Sequence, residues 1–321
     1  MKNHVWIRLF FIGCFGILSL SIFGNDSIRV QNSIKPKKYD TLYIQSHRHL
    51  VGFSVLGIRR SFSFNYKFDN HTTSCKYSNP NVGLRGTYSF LGGEVSFAIP
   101  ERWYKKDTVS STHWGMDIMS LMRKFWLQIS IHDYKNMQDR SVQSSDHISN
   151  LFAYAGILYV VNYKRYSHRA TIFQIEQQKR SAGSILCGIS MSHNGLDMYN
   201  SEDDNRYQLF IRSRYIGVTA GYSHTFVYRK NWFATMFVFP RVVVQKDYKL
   251  LNAEATAELH LDYASEARVS CGYNSSRFFT GVTFYINNSN SNTQQLGTIR
   301  REYYYLRFFF GKRFNIFGKK E

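Results

Sequence analysis

The chain predicts an all-β protein: a single antiparallel up-and-down transmembrane β-barrel of about 12 strands, in a range of roughly 10–14. Three observations predict it. Apolar and polar residues alternate with period two over about a dozen segments, most of them about ten residues long. That length suits a tilted crossing of a hydrocarbon layer, whereas ordinary strands have about 5–6 residues. Aromatic residues make up 17% of the chain and prolines number four, a mix that favours strands over helices or disorder. Charges fall in mid-strand at Arg85, Asp117, Arg214, Arg268 and Arg307, where a hydrated lumen can hold them.

The N-terminus sets the compartment. Lys2 and Arg8 precede the apolar run LFFIGCFGILSLSIFG, and polar NDS follows. A basic region, an apolar region and small residues at Ser19, Ser21 and Gly24 read as a secretory signal peptide over residues 1–24. FIGC at Phe11–Cys14 is a poor lipoprotein site, because apolar residues rather than a polar tether follow Cys14. Residues 25–40 read as a polar periplasmic lead-in and residues 41–321 as the barrel domain. Past the signal, no stretch has the roughly 18 uncharged apolar residues of a membrane helix.

Lys and Arg number 41 against 22 Asp and Glu, a formal charge of +19. The excess is scattered, with no basic block, and export removes the chain from nucleic acid, so no nucleic-acid partner is expected. The expected partners are outer-membrane lipids, including anionic head groups that attract Lys and Arg at the rims, and the barrel-insertion machinery. Three cysteines remain after signal removal: Cys75, Cys187 and Cys271. An odd number without CxxC spacing reads as small apolar fillers with one incidental bridge at most.

The strands justify themselves in order. In SFSFNYKF, Phe62, Phe64, Tyr66 and Phe68 share one face, opposite Ser61, Ser63, Asn65 and Lys67. A barrel sends such an apolar face to lipid. NVGLRGTYSF sets Val82, Leu84, Tyr88 and Phe90 against Gly83, Arg85, Thr87 and Ser89. FWLQISIH sets Phe125, Leu127, Ile129 and Ile131 against Trp126, Gln128, Ser130 and His132. WFATMFVF, AELHLDYASEARVSCGY and SRFFTGVTFYI continue the series. Pro240 lacks a ladder donor inside a strand-like run and predicts a bulge or a strand end. In the last strand Tyr304, Leu306, Phe308 and Phe310 read as lipid-facing. Tyr303, Tyr305, Arg307, Phe309, Gly311 and Arg313 read as lumenal. This strand is expected to close the sheet on the first, with both termini in the periplasm. An aromatic last strand also looks like the signal read by insertion machinery, although the FGKKE tail departs from a chain ending on Phe.

The segment NYKRYSHRATIFQIEQQKRSAGSILCGIS, from Asn162 to Ser190, resembles the signature of the domain-of-unknown-function 4421 family. YDTLYI, YSNPNVGLRGTYSF, THWGMDI, GVTAGYSHTFVYRKNWF and FFFGKRF are similar to the family too. The resemblance spans roughly Tyr39 to Phe314. It implies exported proteins of Gram-negative bacteria with outer-membrane barrels, and it transfers no catalytic residue.

The most polar cluster lies in HRATIFQIEQQKRSAGS, where Gln174, Glu176, Gln178 and Arg180 share one face of a strand. His168 joins them unless a bulge falls near Ile172–Phe173. With Arg85 and Arg307, the residues His168, Glu176, Gln178 and Arg180 form the candidate lumenal ligand-binding set. The plainer reading is a structural ladder in which Glu176 pairs with Arg180 or Lys179. A hydrolytic reading pairs His168 with Ser181 or Ser184, but no GxSxG elbow or orienting third residue is present. His47 and His49 share a strand face without a third metal ligand nearby in sequence, and Asp203–Asp204 lack calcium-loop spacing. No metal or cofactor is expected.

The function read from the sequence is a non-enzymatic outer-membrane barrel: structural, or a channel or ligand-binding barrel with a basic lumen. An outer-membrane lipid hydrolase or acyltransferase built on a barrel is one alternative. A secreted soluble β-sandwich, which has the same period of two, is the other.

Overall fold

The computed structural model describes residues 39–47, 50–68, 71–104, 111–139, 147–199, 208–251, 254–293 and 297–315. The signal peptide, most of the lead-in, His49, Asp203–Asp204 and the FGKKE tail lie outside the described residues. The elements in order are β1 (Ile44–Ser46), β2 (Val51–Phe68), β3 (His71–Tyr88), β4 (Leu91–Ala98), β5 (Thr112–Leu121) and β6 (Phe125–Lys135). Next come β7 (Gln138–Asp139), β8 (His147–Val160), a short helix α1 (His168–Ile172), β9 (Glu176–Gln178) and β10 (Ala182–Tyr199). The chain finishes with β11 (Gln208–Tyr228), β12 (Trp232–Leu251), β13 (Glu254–Asn274), β14 (Phe278–Thr293) and β15 (Gly297–Phe314).

Twelve strands form the wall: all except the short β1, β7 and β9. Each pairs antiparallel with its neighbour, and β15 pairs with β2 from Phe314↔Val51 to Thr298↔Lys67. That pairing closes the sheet and leaves no edge strand. Closure rules out the two-sheet sandwich. Val51, Phe314, the hairpin turns at 89–90, 122–124, 229–231 and 275–277, and the long 161–181 connection all lie at one end, here the terminal end.

Alternation follows the pleat. In β15, Tyr305, Arg307, Phe309, Gly311 and Arg313 are buried inward, while Leu306, Phe308 and Phe310 are exposed outward, as expected. Outward Leu84, Val95, Ile189, Val218, Val238, Leu261 and Val269 continue an exposed apolar belt around the wall. At the terminal end the belt is bordered by aromatic contacts: Phe125–Tyr159, Trp232–Tyr273 and Tyr273–Phe278, with ring centroids 5.2–5.5 Å apart. This is the pattern of a lipid-facing surface with an interfacial girdle.

Several expectations are corrected. The wall strands run from 8 to 21 residues rather than about ten. At ~3.3 Å per residue the longest outrun a ~30 Å hydrocarbon layer even when tilted. Their far halves therefore stand beyond the belt, and in β2, β3, β10 and β11 the sidedness of polarity reverses, while β12 keeps Gln245, Asp247 and Lys249 buried. There Phe62, Phe64 and Tyr66 face inward rather than toward lipid, and they pack with Tyr77, Tyr134, Met198 and Leu209. Arg214 is exposed on the outer face, across from Lys246 and His193, and does not line the lumen. Pro240 neither ends β12 nor makes a bulge. It pairs on through β13 with Ser265, while toward β11 the ladder skips from Thr219↔Arg241 to Tyr222↔Val238 without changing register. The missing N–H costs local pairing only. Cys75, Cys187 and Cys271 are all free thiols.

Candidate functional site

Two segments fold into the terminal end of the barrel and plug it: residues 39–47 and 161–181. The predicted strand over Gln174–Arg180 does not join the wall. Ser167 caps α1, its hydroxyl accepting from the Ala170 N–H at 3.1 Å, and all five helical residues are buried. Gln174 then turns the chain at φ 54°. β9 pairs with β1 in the register Ile44↔Gln178, Gln45↔Gln177, Ser46↔Glu176. YDTLYI and the Asn162–Ser190 segment, far apart in sequence, thus meet in the plug.

Glu176 is its hub. Its carboxylate accepts from Arg123 (2.6 Å), Arg169 (3.2 Å) and the Ser167 hydroxyl (2.7 Å), and none of it is exposed. Its partners are therefore neither Arg180 nor Lys179. Arg180 is exposed, so it leaves the lumenal set. The side chain of Gln178 bridges Ser167 N–H and Arg165 C=O, and Gln177 donates to Asn231 (2.7 Å) and the Asn274 carbonyl (2.8 Å). Arg313 clamps the plug to the wall through the Gln174 carbonyl and Asn274 Oδ1. Phe173 lies on Gly92, where an added Cβ would approach its ring to 2.7 Å. His168 is buried, and its pKa is pushed down to about 3 by burial first and then by the Arg169 and Arg123 charges, although carbonyls of Met122 and Phe125 pull the other way.

The predicted serine partners of His168 have other work. Ser184 Oγ accepts from Asn162 N–H and donates to Ile185 C=O, and Ser181 Oγ accepts from Val227 N–H.

Between the plug and the aromatic cluster of the far half lies an interior cavity, with about 100 Å³ of space for water centres. Phe173 and Ile172 of the plug bound it on one side, and Phe62 and Tyr134 on the other. Five arginines and three carboxylates line it: Arg60, Arg85, Arg268, Arg301 and Arg307 with Glu94, Asp117 and Glu266. Arg85 and Arg307, both singled out in the sequence, converge here. Glu94 sits between them, accepting from Arg85 at 2.8 Å and from Arg307 at 2.8 and 3.0 Å. Arg85 also lies over the Phe173 ring, 4.7 Å from its centroid, and so ties the clamp to the plug.

A second cluster went unread in the sequence. Arg60 Nη1 donates to His113 Nε2 (2.7 Å) and to His132 Nδ1 (2.8 Å). A guanidinium only donates, so both nitrogens are acceptors and each ring carries its proton on the other nitrogen. His113 Nδ1 then donates to Asn81 Oδ1 at 3.0 Å, and His132 Nε2 faces Asp117 at 3.7 Å. Period-two parity places His132 inward with Ser130 and Trp126, but nothing in sequence spacing brings β2, β5 and β6 to one point.

Residues 38–314 match the sequence model of a family described as "Domain of unknown function (DUF4421)". No curated protein matches the chain. Among solved structures it is similar to the outer-membrane protease OmpT from Escherichia coli at 7% identity, covering 83% of this chain and 97% of that one with a TM-score of 0.44. It is similar to an outer-membrane channel from Pseudomonas putida F1 at 10% identity, covering 88% and 100%, with a TM-score of 0.36. The toluene transporter TodX of Pseudomonas putida matches at 6% identity over 83% and 90%, with a TM-score of 0.29.

Proposed function

The chain belongs to the DUF4421 family, and from that premise we propose that it is an outer-membrane barrel that holds a small anionic solute in a closed, basic lumen and performs no covalent chemistry. The observation that carries the reading is the cavity itself. It lies between the plug at one end and packed aromatics at the other, and arginines outnumber carboxylates in its lining. A barrel of about 12 strands is wide enough to leave interior space once side chains are placed. Buried like charges are costly without counter-charge, so an excess of lumenal arginines favours an anion there.

The apolar belt and aromatic girdle support a membrane setting, and the plug supports a closed resting state at the periplasmic end. A general base needs a free acceptor nitrogen near the reacting proton. In the Arg60 cluster both imidazole acceptors are already taken by the guanidinium, which supports the non-enzymatic reading over the hydrolase.

Cell fractionation combined with gel mobility tests the setting. The expected result is recovery with outer membranes and faster migration unboiled than boiled, the sign of a detergent-resistant barrel. Recovery as a soluble protein without detergent would overturn it.

A further inference from the structure

Arg268 of β13 differs from the other lumenal arginines. Arg60 donates to two histidines, Arg85 and Arg307 share Glu94, Arg241 is paired with Glu266, and Arg301 reaches Ser213 and Asp247. Arg268 is 6% exposed, yet among the described residues no hydrogen bond or ion pair reaches its guanidinium. Its Nε is fully enclosed without a partner, a state shared with Arg60, Arg241, Arg301 and Arg307, but those four are paired through Nη and Arg268 is not, and it lines the cavity. The neighbouring inward carboxylate on the same strand, Glu266, is engaged by Arg241. The Arg268 guanidinium lies over two aromatic faces, Phe237 with its centroid 5.5 Å away and Tyr285 at 5.2 Å.

A buried guanidinium without an acceptor is expensive, and ring faces offset only part of that cost. A fork of parallel N–H donors matches a carboxylate in bidentate geometry. Apolar and aromatic side chains share the cavity lining with the charged ones, among them Ile58, Met119, Phe152, Ala264, Tyr285 and Tyr305. A strongly hydrated inorganic anion gains nothing from such walls, whereas an organic acid buries its body against them.

We propose that Arg268 is the anchor of a binding site for a small organic monocarboxylate, whose carboxylate takes the guanidinium fork and whose apolar body lies among the lumenal aromatics. The proposal deepens the closed-lumen reading above and rests on it.

The test uses the full chain refolded in detergent, with phenylacetate as probe, neutral phenylacetamide as its isostere and inorganic phosphate as a third ligand. Titration calorimetry and thermal unfolding are both read. Phenylacetate is expected to bind and to raise the unfolding temperature, and the amide and phosphate to do neither. Arg268→Gln is expected to weaken phenylacetate binding about tenfold or more, the loss of a charge-assisted contact. Arg214→Gln, on the outer face, should change nothing. Equal binding of acid and amide, binding of phosphate in place of phenylacetate, absence of any binding, or unchanged binding by Arg268→Gln would each overturn the proposal. If Arg268→Gln does not fold, the wild-type contrast between acid and amide decides alone. Failure here with a heat-modifiable barrel in the outer membrane removes the site and leaves the membrane reading standing.

Discussion

Glu94 shows how a lumenal charge is held. One carboxylate lies between two guanidiniums, and all three groups are at most 8% exposed. Removing the carboxylate leaves two buried cations facing one another, a change that costs about 3–5 kcal/mol when a buried pair is broken. Glu94→Ala is therefore expected to lower the unfolding free energy of the refolded barrel in urea by that order, seen as a lower midpoint, and Glu94→Gln by less. An unchanged midpoint would mean that the clamp is solvated. Arg85 and Arg307 were legible as lumenal because their parity within strongly alternating strands fixed their face. Their partner was not, since Glu94 and Arg307 are 213 residues apart and meet only after the barrel closes. Arg214 was misread for a related reason. Mid-strand charge signals a lumen only at the height of the lipid belt, and sequence does not mark where the belt stops.

At the scale of elements, the plug is what the sequence concealed. HRATIFQIEQQ carries enough alternation to pass for a strand, yet Ser167 before it caps α1, and its own polar groups are spent on the Arg169–Glu176 ion pair and on the wall turns. The bulge expected near Ile172–Phe173 marks a true break, where α1 ends and the chain turns back toward β9. Glycine at position 92 leaves room for Phe173, a constraint visible only once β4 and the plug are in contact. His168 gives the plug a pH dependence. Its folded pKa is held near 3, below the unfolded value of 6.5. The unfolded chain therefore binds the extra proton first as pH falls. The resulting stability is full above pH about 6.5 and is lost progressively toward pH about 3. The facing charges are Arg169 and Arg123, with Glu176 between them. Thermal melts of wild type and His168→Gln should diverge across that window, the wild type losing stability faster on acidification. Parallel curves would contradict the burial of a neutral ring.

For the whole molecule, period-two alternation, aromatic content and strand number gave the closed barrel, because each is a local property that the pleat repeats along every strand. What alternation does not encode is the filling of the interior, which depends on non-local meetings among β2, β5, β6 and the inserted segments. On the proposed reading the resting barrel is a closed compartment rather than an open pore. Conductance in planar bilayers tests that most directly, comparing the full chain with a variant in which residues 168–178 are replaced by a Gly-Ser linker, the far-half aromatics Phe62, Tyr77 and Tyr134 are replaced by alanine, and heat-modifiable mobility is kept. The full chain is expected to be silent, and the variant to open an anion-preferring pore. Steady conductance by the intact chain, or silence from the folded variant, would contradict the plugged-barrel account.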